Sequence, residues 1–317
     1  EGITDLEAIK AAGLRGVMLT SVGMDRSAVA PVPPARPHRI VARGGVRTDE
    51  YYWLRDDHRS DPEVLAHLAA ENAYTDAVLA PVAATRDLLY REMVGRIPQD
   101  DATVPARLRG HLHYRRFVAG AENPLIMRRP AGNSTTEELV LDVNALARDH
   151  AYYGIGGCFP SPDDRLIAFT EDTVGQGVWT LRFRDLATGA FLRETIFGVA
   201  ATVAWFCDSR RVAYVQQHPD TQHGWRLRCH LLGTNPLDDA IVYEERDECF
   251  ELSVMATKDE RYLLLLAENS GSTEWRYLDA AGTAMLPRLF LAREPRHEYE
   301  PEHLDGRWIV RTNWLAP

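Results

Sequence analysis

The residues from which a catalytic or metal centre would have to be built are the histidines, cysteines, glycine clusters and paired carboxylates, and their spacing argues against one. His218 and His223 stand five apart with Pro219 between them. That does not match H-E-x-x-H, whose spacing brings two imidazoles to one zinc ion from a helix face, so both read as surface-loop histidines. His111 and His113 fall on one side of a strand and could share a metal, but no third ligand is in view. Cys158, Cys207, Cys229 and Cys249 contain no C-x-x-C pair, which disfavours a zinc ribbon or finger. Four cysteines in 317 residues do not make a disulfide scaffold, and they read as reduced, mostly buried thiols. No G-x-S-x-G occurs, so the strand–turn–helix elbow that presents a hydrolase serine is not visible. Gly154, Gly156 and Gly157 precede a strand and not a helix, the wrong context for a phosphate loop; a turn or a close backbone approach is expected. The pairs Asp56/Asp57, Asp100/Asp101 and Asp163/Asp164 read as solvated turns. No catalytic, cofactor-binding or metal-binding residue is assigned.

Tyr51-Tyr52-Trp53-Leu54-Arg55-Asp56-Asp57 is dense in aromatics and charge. Such a tract can stack nucleic-acid bases, but the formal net charge of −10 is wrong for that partner, and an aromatic anchor against a neighbouring domain is favoured. No run of about 18 apolar residues is present, so no membrane span is expected. The start, with Glu1, Asp5 and Glu7, lacks a basic segment followed by a long apolar one, which disfavours a signal peptide. The chain reads as starting inside a longer product or after processing, with Met18 and Met24 as alternative starts. A cytoplasmic location is expected.

Three kinds of element position these residues. An extension, 1–34, is weakly patterned and ends in Pro31, Pro33 and Pro34. A helical segment, 35–100, carries two amphipathic helices. The first is capped at Ser60 or Asp61, with Ser60-x-x-Glu63 as a capping box. The second starts near Pro81 and ends at Gly95. Residues 101–317 change to a strand pattern. A polar turn followed by an apolar strand recurs about every 50 residues: Ser161-Pro162-Asp163-Asp164-Arg165-Leu166-Ile167-Ala168, Asp208-Ser209-Arg210-Arg211-Val212-Ala213-Tyr214, Lys258-Asp259-Glu260-Arg261-Tyr262-Leu263-Leu264 and Leu304-Asp305-Gly306-Arg307-Trp308-Ile309-Val310. Arg109-Gly110-His111-Leu112-His113-Tyr114 is a degenerate earlier copy. Four short strands per unit is a propeller blade. Blades are expected near 103–147, 155–197, 200–244 and 249–292, with a fifth beginning near 298. The fold class is mainly β: an incomplete propeller behind a helical segment.

The tracts Tyr51–Asp57, Asp61-Pro62-Glu63-Val64-Leu65, Glu71-Asn72-Ala73-Tyr74-Thr75 and Glu92-Met93-Val94-Gly95-Arg96-Ile97 resemble the N-terminal region of oligopeptidase B, of the prolyl oligopeptidase group of serine peptidases. The resemblance continues through Asp101-Ala102-Thr103-Val104-Pro105, Tyr114-Arg115-Arg116-Phe117, Leu141-Asp142-Val143-Asn144, Ser161-Pro162-Asp163 and Asp185-Leu186-Ala187-Thr188-Gly189, covering roughly 35–314. It implies a seven-bladed propeller capping an α/β-hydrolase domain that holds a Ser-Asp-His triad, with segment 35–100 packed on that domain. It also implies cleavage of short peptides after Arg or Lys, the propeller restricting access. None of the triad can be matched to a residue of this chain, so the chain reads as the front part of a larger peptidase, inactive alone. The hydrolase domain and short basic peptides are its implied partners. The alternatives are a non-catalytic interaction module, which would have to close with few blades or by pairing two chains, and a split enzyme whose hydrolase half is a separate chain. An unclosed propeller would leave strand edges unpaired and prone to aggregate.

Overall fold

The computed structural model describes residues 28–42, 45–132 and 136–315. The chain divides into two compact units, Glu1–Pro98 and Gln99–Pro317. Most of the extension 1–34 lies outside the described residues.

The first unit opens with an antiparallel hairpin of β1 (His38–Ala42) and β2 (Gly45–Asp49), which the sequence pattern did not announce. A single 3-10 turn, Tyr52–Leu54, follows. Helix α1 (Pro62–Leu79) is capped by Asp61, whose carboxylate accepts from the backbone N–H groups of Glu63 and Val64. The expected Ser60–Glu63 capping box does not form: Asp61 is the cap, and the Glu63 carboxylate pairs with Arg36. Pro81 has no N–H and its ring opposes the helix path, so it sits in a 3-10 turn, Ala80–Val82. Helix α2 (Ala83–Gly95) therefore begins later than Pro81. Leu65, Leu68, Leu88, Tyr90 and Met93 are exposed on these helices.

The second unit is a succession of antiparallel blades. The inner strand of the first blade is broken at Pro105 into β3 (Asp101–Ala102) and β4 (Ala106–Leu108), both paired with β5 (His111–Phe117). β6 (Leu125–Pro130) and β7 (Glu138–Asp142) complete it. The short helix α3 (Val143–Ala147), capped by Asp142, leads on. The second blade is β8 (Gly154–Pro160), β9 (Leu166–Asp172), β10 (Trp179–Asp185) and the first part of β11 (Phe191–Trp205). The sequence pattern placed a blade boundary between 197 and 200. The chain instead runs through it: β11 is the outer strand of one blade, with Arg182 opposite Thr195, and the inner strand of the next, with Val203 opposite Tyr214. Gly198, at φ +69°, and two register shifts let the strand bend between sheets. β12 (Arg211–Gln217), β13 (Gly224–Leu231) and β14 (Ala240–Glu244) finish the third blade, so seven strands share one ladder. The fourth is β15 (Glu251–Ala256), β16 (Tyr262–Asn269), β17 (Ser272–Asp279) and β18 (Arg288–Leu291). β19 (Tyr299–Leu304) and β20 (Arg307–Thr312) open a fifth.

The core lies between blades. Strand β16 reads as an unbroken apolar run because it is buried on both faces. Leu263 and Leu265 enter the core shared with the third blade, around Phe206, Val215, Leu227 and Leu252. Leu264 and Leu266 enter the one shared with the fifth, around Trp275 and Tyr299. β12 alternates the same way: Val212 and Tyr214 pack toward Phe183 and Trp205, Ala213 and Val215 toward Leu252. Each fully buried Leu or Phe contributes about 1.5–3 kcal/mol, so the inter-blade faces dominate cohesion.

Candidate functional site

The recurring turn between the first and second strand of each blade is what this architecture repeats most faithfully. Ser161 Oγ accepts from the Leu166 N–H at 2.9 Å and donates to Asp163 at 2.6 Å. Thr257 does the same with Tyr262 at 3.1 Å and Asp259 at 2.8 Å. The aspartates then accept from the backbone of Arg165 and Arg261. Each turn needs one left-handed residue: Arg109 (φ 49°), Asp164 (56°), Ser209 (54°), Glu260 (56°) and Asp305 (52°). Asp305 is thus the counterpart of Asp164. Glycine relaxes this conformation most easily, yet none of the five positions is glycine.

Three of those side chains meet. The Arg109 guanidinium donates to Asp164 Oδ1 at 2.7 Å, to the Ser161 carbonyl at 2.7 Å and to the Glu260 carboxylate. His111 Nδ1 lies 3.3 Å from Asp164 Oδ2, and Arg128 donates to the Asp164 carbonyl at 2.9 Å. Asp164 is therefore a cross-blade hub and not the solvated turn residue expected, because its neighbours come from another blade. Asp163 is exposed in the turn itself, as the solvated-turn reading expected, and its N–H donates to Ser209 Oγ at 3.1 Å. Burial pushes the His113 imidazole down to about 4, with neighbouring His111, Arg128 and Arg109 acting in the same direction and Asp164 opposing them.

Beside this network lies a cavity of about 280 Å³. Its walls are Cys158 and Phe159 of β8, Val203 and Trp205 of β11, Met255 of β15 and Leu108 of β4, with Cys207, Lys258 and Glu260 at the turns. The strands that face one another across adjacent blades thus enclose a mostly apolar hollow with a charged rim. A second hollow of about 430 Å³ is lined by His218, His223, Trp225 and Phe250 together with Glu244, Glu245, Asp247 and Glu248.

The remaining sequence candidates fall as follows. His218 and His223 bracket a hairpin, joined by a 2.8 Å backbone bond, and His218 packs edge-on against Trp225. No cluster of three His, Cys, Asp or Glu suited to a metal occurs among the described residues. Gly154, Gly156 and Gly157 lie inside β8 and not before a strand; a Cβ on Gly156 would stand 2.6 Å from Thr170 Oγ1, so close approach is the reason for glycine there. The cysteines are unpaired, but Cys207 and Cys249 are exposed and Cys158 and Cys229 half-buried, against the expectation of mostly buried thiols; turns place the first two at the surface. Burial pushes Cys158 up to about 12 and Cys229 up to about 11. In the aromatic tract, Tyr52 stacks on His38, the Trp53 indole N–H donates to the Pro34 carbonyl at 2.9 Å, and Arg36 lies over the Trp53 ring. The tract holds the proline-rich segment inside its own unit. Asp57 pairs with Arg55 and Asp56 accepts from the Asp61 N–H at 2.7 Å, while Asp100 accepts from the Ala119 N–H at 2.8 Å and Asp101 from the Ala102 N–H at 2.7 Å. Signals for the Arg109 network were present in the turn repeat, but the pairing of distant turns was not.

Successive antiparallel four-stranded units with cores between them are the pattern of a β-propeller. Residues 31–317 match the family described as prolyl oligopeptidase, N-terminal beta-propeller domain, and the chain belongs to that family. It is 41% identical over 306 residues to dipeptidyl aminopeptidase BI of Pseudoxanthomonas mexicana, covering 90% of this chain and 42% of that protein. It is 26% identical over 292 residues to Protease 2 of Moraxella lacunata, covering 89% and 42%. Oligopeptidase B from Leishmania major superposes with a TM-score of 0.80 at 25% identity, covering 90% of this chain and 43% of that one. The chain thus spans about two-fifths of the length of these relatives. No described helix is long and apolar enough to cross a membrane.

Proposed function

We propose that this chain is the access-controlling part of a serine peptidase that hydrolyses short peptides after Arg or Lys. The bond-breaking groups would be a Ser nucleophile, a His base and an oxyanion hole in a hydrolase domain outside these 317 residues. The observation that carries the reading is the match over 31–317 together with 41% identity to a peptidase. One feature supports a role for the propeller in access: its inner strands enclose a cavity of about 280 Å³, too small for a folded protein. We propose the cytoplasm as its compartment, supported by four unpaired cysteines.

The test compares two purified polypeptides, the 317-residue chain and the product of the whole gene, on an Arg-containing fluorogenic dipeptide. The expected result is turnover by the longer product, abolished by an active-site serine reagent, and none by the chain. Serine-reagent-sensitive turnover by the chain alone, or none by the longer product, overturns the reading.

A further inference from the structure

We infer that Arg109 is a charged strap across the mouth of the propeller cavity, tying the first blade to the second and the fourth and closing that mouth when in place. Arg109 sits on the turn between β4 and β5. Its Nη2 and Nε reach Asp164 Oδ1 at 2.7 and 3.3 Å, and Nη2 also reaches the carbonyls of Ser161 at 2.7 Å and Pro160 at 3.4 Å, all in the second blade. Its Nη1 pairs with Glu260 of the fourth blade, 151 residues on. Arg109 thus joins turns of the first, second and fourth blades.

The cavity lies at this junction, because Pro160 and Glu260, two of the strap's partners, are among its lining residues. The strap side chain and Asp164 are each 20% exposed and Glu260 30%, so the ion pairs are partly shielded from water and salt. A guanidinium divides its rigid fork between two carboxylates and two carbonyls, which an ammonium cannot do. Both ends of the strap, Arg109 and Glu260, occupy left-handed turn positions where a side chain is disfavoured. The inference deepens the proposed access role by naming what regulates the opening, and it rests on that role only for its consequence in catalysis.

Cysteine labelling tests it without reference to activity. Cys158 lines the cavity, whereas Cys229 is packed against the core between the third and fourth blades. In the full chain, two backgrounds keep only one thiol each, Cys158 or Cys229, with the other three changed to Ser. Maleimide labelling at pH 8 is then followed with Arg109 intact, with Arg109→Met and with Arg109→Lys. The expected result is a faster reaction of Cys158 in Arg109→Met, a smaller rise in Arg109→Lys, and no change at Cys229. An unchanged Cys158 rate overturns the strap, and so does an equal rise at both thiols, which reports general loosening. Peptide hydrolysis by the whole gene product carrying Arg109→Met is measured separately. Faster Cys158 labelling with unaltered dependence on peptide length keeps the strap and removes the channel as the peptide's route.

Discussion

His230 Nδ1 lies 2.9 Å from one oxygen of Asp239, and the Tyr214 hydroxyl donates to the other oxygen at 2.9 Å, all three side chains sealed from solvent. Phe183 of the second blade stacks on the His230 ring at 6.0 Å. One carboxylate therefore satisfies two strands of the third blade and holds the ring that the second blade packs against. Replacing it by Ala strands a buried hydroxyl and a buried imidazole N–H, each costing about 1–3 kcal/mol. Asp239→Ala is expected to cost about 3 kcal/mol and to lower Tm by roughly 6–12 °C in a unit of this size. Asp239→Asn, which keeps one acceptor, is expected to lose less. Differential scanning calorimetry of both variants checks the order.

His113 gives stability a pH dependence with a definite sign. Its ring remains neutral down to about 4 in the folded chain, against an unfolded value near 6.5. Between those values the unfolded chain binds the proton and the folded one does not, so stability falls as pH drops from about 6.5 toward 4 and levels off below. The groups around it are His111, Arg128, Arg109 and Asp164. Carboxylates held below their usual range, such as Asp208 by its backbone and Arg211 bonds and Asp259 by Thr257 and His303, lose their contribution only at lower pH, so the windows separate. His113→Gln is expected to flatten urea-midpoint stability between pH 6.5 and 4.5. An unchanged slope in that variant counts against the assignment.

The blade repeat was legible because its turn chemistry is local. A Ser or Thr hydroxyl, an Asp two residues on and a left-handed residue after it all lie within one hairpin. The buried-on-both-faces strands were legible for a similar reason, as runs such as Leu263–Leu266. What stayed hidden depends on distance in sequence. Asp164 looks solvated until Arg109, 55 residues earlier, is placed beside it. β11 looks like two strands because the pattern changes at Gly198, although the chain bends there without leaving the strand. The hairpin of β1 and β2 is short and largely exposed, so no apolar alternation marked it.

Gly224 tests how closely the third and fourth blades approach. A Cβ there would lie 2.6 Å from the Leu252 carbonyl oxygen and 2.8 Å from Val215 Cγ1. The first neighbour is backbone in the inner strand of the next blade and cannot rotate away. Overpacking of this kind costs about 1–3 kcal/mol, and Gly224→Ala is expected to fall in that range. Gly271→Ala is the control, since nothing lies within 4 Å of its added methyl group. Equal thermal stability of the two variants would remove the close approach as the reason for Gly224.

The helices of the first unit make a prediction that separates what the chain needs for itself from what it offers elsewhere. Leu68, Leu88 and Met93 are 52, 58 and 58% exposed, so their apolar atoms stabilise little within the chain. Changing all three to Gln is expected to leave the thermal stability of the 317-residue chain within about 0.5 kcal/mol per site. If the proposed hydrolase domain covers this face, the same substitutions in the whole gene product bury amides without partners, at about 1–3 kcal/mol each. The longer polypeptide would then show a lowered Tm and faster limited proteolysis near residues 60–95, while the chain shows neither. Loss of stability in the chain itself would mean that these side chains serve the first unit internally, and equal indifference in both would mean that another surface carries the docking.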